Sequence, residues 1–179
     1  MKLRPSSLHA ALLCLGLTWP LLAAAHPGHD VGDGIAAGFI HPFTGLDHLF
    51  VMLAVGAWAA QLGGRARALL PSGFLLCMLI GAGLAIAGMR LPFSEGVIAV
   101  SVVVLLAAVV VRFRVGIVPA AAVVSVFAMY HGYAHAVDMP SDVLAVRYMM
   151  GFTLATAVLQ ALGFTLATLS RRLEAVSAG

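Results

Sequence analysis

Charge is what this sequence has least of. Of its 179 residues, 9% are Asp, Glu, Lys or Arg, whereas soluble domains carry roughly 25%. So few charges cannot cover a water-facing surface. With 62% hydrophobic residues and a mean hydropathy of +1.05, the chain reads as an integral membrane protein, one bundle with no room for a second domain. Cysteine is also scarce. Cys14 lies in a segment expected to be removed and Cys77 lies mid-span, so no disulfide framework is expected, and no C-x-x-C metal or redox motif exists. There is no phosphate-binding G-x-x-x-x-G-K-[ST] loop, which excludes self-powered ATP hydrolysis. There is no G-x-S-x-G, which disfavours a rhomboid-like hydrolase. The net charge of +3 comes without a basic stripe of interleaved aromatics. Arginines flank apolar segments instead, which speaks for membrane topology and against a nucleic-acid partner.

Within this apolar sequence the N-terminus has the layout of a secretory signal. Lys2 and Arg4 form a basic start, 8–22 is a short apolar core interrupted by Pro20, and Ala23-Ala24-Ala25 is an A-x-A-like cleavage site. The alternative is an uncleaved first transmembrane helix; a lipoprotein reading through Cys14 is disfavoured by the bulky Leu13 before it. The expected organisation is a signal peptide over 1–25, a short external His/Asp segment over 26–34, a bundle over 35–170 and a cytoplasmic tail over 171–179.

A bilayer core needs about 20 apolar residues per helix. The expected fold is all-α, a polytopic transmembrane bundle with five spans, at roughly 35–62, 68–88, 94–111, 116–137 and 143–169. Gly63-Gly64, Pro92, Gly116 and Pro140 mark the breaks. Ser94 and Glu95 suggest an N-cap with an acid in the first turn. Arg65 and Arg67 follow the first span, Arg112 and Arg114 the third, Arg171 and Arg172 the fifth, while Arg90 and Arg147 lie on the opposite side. By the positive-inside rule this puts the mature N-terminus outside and the C-terminus in the cytoplasm. Gly81-Ala82-Gly83, Gly151, Ala155, Ala157, Ala161 and Gly163 are small enough for close helix approach.

Four of the seven histidines fall in two short motifs, H-P-F-T-G-L-D-H over 41–48 and Y-H-G-Y-A-H-A-V-D over 130–138. Ionisable groups at membrane depth are expensive and so point to function. Imidazole and carboxylate together suit a borderline divalent metal. Pro42 can occupy the first turn of a helix, with His41 at its outer mouth and Asp47 and His48 deeper. On a regular helix His41 and His48 share a face but stand about 10 Å apart. They can share one ion only if the turn around Pro42–Gly45 is irregular, which membrane proteins tolerate where backbone lines a cavity. His131 and His135, at i and i+4, stack on one face, with Asp138 near that face at the boundary. The two motifs match in depth, although spacing does not force their helices together. Glu95 can join this vestibule or serve as a helix-start charge. His26 and His29, beside Asp30 and Asp33, can capture metal or be solvated. Met52, Met129, Met149 and Met150 are read as packing residues, and Tyr130 and Tyr133 as partners of site carboxylates or interface anchors.

At these residues the chain resembles the HupE/UreJ family of hydrogenase and urease accessory membrane proteins. The family's pattern of a histidine, five residues and Asp-His matches His41, Asp47 and His48 in full. Its second motif, roughly F-H-G-x-A-H-G-x-E, is similar to 130–138, where Tyr130, Ala136 and Asp138 replace the aromatic, the second glycine and the acid. The resemblance implies a nickel permease, with cobalt as an alternative cargo, supplying nickel-dependent hydrogenase or urease maturation. No prosthetic group is expected; the metal ion and the lipid bilayer are the expected partners. On the residues alone, Asp47, His48, His131 and His135 are expected to form a core site with His41 and Asp138 as its rim. A bis-histidine haem protein and an intramembrane metal enzyme, with the aspartate as base beside a metal-bound water, stay open as alternatives.

Overall fold

The helices break at Gly63-Gly64, Pro92 and Gly116, as the sequence suggests. The computed structural model describes residues 34–139 and 144–177, and every regular element among them is a helix. These are α1 (Gly34–Thr44), α2 (Leu46–Leu62), α3 (Ala66–Ile86), α4 (Ser94–Val110), α5 (Ile117–Val137) and α6 (Ala145–Ser177). The signal segment, His26, His29 and Pro140 lie outside the described residues. Between α2 and α3, Gly63 and Gly64 take φ of 76° and 49°, a conformation that costs a Cβ-bearing residue free energy. Ser94 is the first helical residue of α4 and not its cap; Phe93, at φ 61°, holds the cap position without a side-chain bond. Glu95 lies in the first turn as expected.

Among the described residues three helices, α3, α5 and α6, are long and apolar enough to cross a membrane. The α1–α2 pair meets the same test only as a unit, bent by 85° at Gly45. At 17 residues α4 is shorter. All five expected segments are thus helical, and the first is broken in two. Large apolar side chains such as Leu76, Val118, Leu154 and Leu166 face outward, the side a bilayer would cover. The last helix runs on to Ser177, into the segment expected as a separate tail. At about 1.5 Å per residue its 33 residues span about 50 Å, more than the roughly 30 Å of a hydrocarbon core. Its final turns are held by Glu174, which pairs with Arg112 in the α4–α5 turn. Two more bonds tie that turn region down at the end of α2: Trp58 Nε1 donates to the Phe113 carbonyl and Gln61 Nε2 to that of Val109, each at 3.0 Å.

The helices pack as α3 on α5, and α6 on both α1 and α2, with α4 against α2 and α5. These crossings are unusually close. A Cβ on Gly132 of α5 would sit 1.8 Å from the Met78 carbonyl oxygen of α3, and one on Gly81 of α3 would sit 1.9 Å from that of Met129. The same reciprocal contact joins α2 to α6 through Gly56 and Gly163, and α1 to α6 through Gly38 and Gly151. Among the small residues expected at crossings, Gly81, Gly151 and Gly163 are there, whereas Gly83 faces open space. Without water to drive helices together, close van der Waals contact is the main source of association in a membrane.

A Cβ at Gly132 therefore forces two backbones apart. Gly132→Ala should destabilise the bundle by about 1–3 kcal/mol, read as a lower midpoint of thermal unfolding in detergent. Gly83→Ala, with nothing within 4 Å, should leave the midpoint unchanged or slightly raised.

Candidate functional site

Several residues of the 41–48 motif have a local task. Pro42 lies in the last turn of α1 and not in a first turn as expected. Lacking an N–H, it cannot bond the carbonyl of Gly38 four residues back, which weakens the helix where the chain must turn. Thr44 Oγ donates to the His41 carbonyl at 2.7 Å and so satisfies an acceptor that the helix end would leave bare. Gly45 is extended (φ −101°, ψ 114°) and its carbonyl accepts the Leu49 N–H at 3.0 Å, opening α2. The 85° bend then folds the His48 ring back over Gly45: a Cβ there would lie 2.7 Å from His48 Cδ2. This broken backbone is the irregular turn that sharing between His41 and His48 requires. Their ring centroids lie 6.2 Å apart, against the roughly 10 Å of a straight helix.

From the other side α5 brings His131 and His135, both buried, at 0% and 1% exposure. The His48 ring centroid is 4.1 Å from that of His135 and 5.3 Å from that of His131; His41 is 4.8 Å from His135. One ring nitrogen from each of His41, His48 and His135 lies within 4.8 Å of the others. An ion held at about 2.1 Å per nitrogen bridges pairs up to about 4.2 Å apart, so small side-chain rotations close this triad on one centre. His131 stands beside it. Its Nδ1 lies 2.9 Å from the Phe127 carbonyl, which can only accept, so the proton sits on Nδ1 and the Nε2 lone pair is left for a ligand. That Nε2, both nitrogens of His135 and Nδ1 of His48 are buried with no hydrogen-bond partner among the described residues. Buried polar atoms are rarely left so.

The acids stand further out. Asp47 Oδ2 is 3.7 Å from His48 Nε2, with the carboxylate side chain 42% exposed, too long for a hydrogen bond but close enough to attract a cation. It lies in the first turn of α2, where its charge offsets the positive end of the helix dipole beside the cluster. The negative end of α5 favours a cation at His135, which lies in its last turn. Asp138 caps α5 and is exposed, and Glu95 is exposed at the start of α4; neither shares the close set of ring nitrogens.

A family model described as HupE / UreJ protein matches residues 12–178. The chain belongs to the HupE/UreJ family. It is similar to Protein HupE of Rhizobium leguminosarum bv. viciae, 42% identical over 153 residues that cover 86% of this chain and 80% of that protein. No solved structure matches it.

In this HupE/UreJ chain the expected core and rim are rearranged. His41, expected at the rim, stands inside the cluster, because the bend at Gly45 shortens its distance to His48. Sequence reasoning missed the aromatic wall. Phe152 lies 3.9 Å from the His135 ring by centroid, Tyr148 lies 5.9 Å from that of His41, and Phe74 lies 6.1 Å from that of His131. The Tyr148–Phe152 spacing of four residues was the available signal, but such pairs are common in packing stripes.

If the Gly45 bend sets the site, Gly45→Ala should lower the affinity for added Ni²⁺ at least about tenfold, or about 1.4 kcal/mol, by titration calorimetry. The helical circular dichroism should be unchanged.

Proposed function

We propose that the chain carries a divalent transition metal across the bacterial inner membrane, with Ni²⁺ as the cargo and Co²⁺ as the alternative, and that it is a transporter and not an enzyme. The observation that carries this reading is the imidazole cluster in which His48 Nδ1, His131 Nε2 and both nitrogens of His135 are buried with no hydrogen-bond partner among the described residues. The nitrogen donors suit a borderline ion and lack the thiolates that would hold it too tightly for release. Affinity alone would favour Cu²⁺ over Ni²⁺, so the geometry of the cluster and the ion's supply decide selectivity. The positive-inside pattern of arginines supports an external N-terminus, which would open the histidine end to the periplasm. On that reading Asp47 and Asp138 lie at the mouth, where their charge attracts a cation, and His26 and His29 precede it in the chain. The HupE/UreJ likeness supports delivery to hydrogenase or urease maturation. A haem reading needs a slot for a porphyrin between two imidazoles, whereas the His48 and His135 centroids are 4.1 Å apart.

The test is influx of ⁶³Ni²⁺ into vesicles holding the purified protein. His48→Ala and His131→Ala should each cut influx at least about tenfold, a loss of about 1.4 kcal/mol at the site; native influx in both would overturn the reading. Competition by Co²⁺, Cu²⁺ and Zn²⁺ in the same vesicles ranks the cargo.

Acid should act in the same direction. Imidazole binds metal only when neutral, so protonation competes with the ion. Influx should fall as the external pH is lowered. A higher Ni²⁺ concentration should restore it.

A further inference from the structure

Below the histidines one face of α6 carries a line of buried residues four apart. Tyr148, Phe152, Thr156 and Gln160 are 1%, 0%, 0% and 2% exposed. Phe152 closes the floor of the cluster against His135. One turn further, Thr156 Oγ lies 2.9 Å from the Phe152 carbonyl oxygen and 3.7 Å from Met78 Sδ of α3. Met78 is level with the histidines, since its own carbonyl meets Gly132, the neighbour of His131. One more turn along is Gln160. Both its amide oxygen and its amide nitrogen are buried with no hydrogen-bond partner among the described residues. Its backbone packs against Gly56 of α2. Gly56 is eight residues past His48, as Gln160 is eight past Phe152, so both helices place this level about 12 Å below the cluster.

An amide with neither end satisfied is destabilising in a bundle that could hold leucine or methionine instead. It is explained if something polar visits it. We propose that Gln160, with Thr156 and Met78 above it, forms a second station for a partly hydrated divalent cation, reached from the histidine cluster past the Phe152 ring. The donors are an amide oxygen, a hydroxyl oxygen and a thioether, none charged. They hold a cation more weakly than imidazole nitrogens and so let it move on. This rests on the transport reading and adds the inward half of the route.

The experiment pairs two measurements on the full chain: equilibrium binding of Ni²⁺ in detergent, and ⁶³Ni²⁺ influx into vesicles. Gln160→Met keeps the volume and removes the amide. It should bind Ni²⁺ within twofold of native, unfold at no lower temperature, and pass Ni²⁺ at least tenfold more slowly. Thr156→Val, which removes one hydroxyl at constant shape, should slow influx in the same sense and serves if Gln160→Met does not fold. Native influx in the folded variants overturns the second station and leaves the transport reading standing. Loss of binding in step with influx also overturns it, since the amide would then be supporting the histidine cluster. Absence of Ni²⁺ influx in the native protein overturns both readings.

Discussion

Burying imidazole nitrogens that find no partner among the described residues is the constraint around which this molecule is arranged. Each unsatisfied buried polar group costs about 1–3 kcal/mol. Here His131 Nε2, both nitrogens of His135 and His48 Nδ1 converge on one place. Lipid cannot bond them, so they must turn inward, and the helices that carry them must come close enough to enclose them. The aromatic wall of Phe74, Tyr148 and Phe152 then surrounds the rings with apolar surface, which strengthens any charge interaction made among them.

That enclosure depends on glycine twice. At the crossings, Gly81 with Gly132, Gly56 with Gly163, and Gly38 with Gly151 bring backbones to distances no side chain would allow. At Gly45 the missing Cβ lets the chain break and the His48 ring fold back. The first device supplies packing energy, and the second sets ligand geometry. They meet in α6, which packs on α1 and α2 on either side of the bend and so holds the two halves of the broken helix. At the far end, Trp58, Gln61 and the Arg112–Glu174 pair fasten the α4–α5 region to α2 and α6. The bundle is therefore clamped by polar bonds at the end opposite the histidines.

Much of this could be read in advance because membranes simplify the rules. A backbone in lipid must satisfy its own hydrogen bonds, so long apolar runs are helices and glycine marks their ends. The ends of α3, α4 and α5 fall within about two residues of expectation, as boundaries usually do. Ser94 missed the cap by one position, and the last helix outran its apolar stretch because Arg, Leu, Glu and Ala all favour helix. The histidines were legible because ionisable residues are conspicuous against so little charge. Gln160 was not singled out, since a lone amide in an apolar run looks like any polar residue at a packed interface.

By itself the sequence determined the helical class, the breaks at Gly63-Gly64, Pro92 and Gly116 and the residue types able to hold a metal, because hydropathy, glycine and histidine act locally. Only the tertiary structure decided which histidines meet. That depends on an 85° bend at Gly45 and on the separate packing of α5 against α3 and of α6 against α1 and α2, long-range contacts that no local spacing encodes. The bend moved His41 from the rim into the cluster. The packing left Asp138 and Glu95 exposed outside it and set Gln160 beneath its floor.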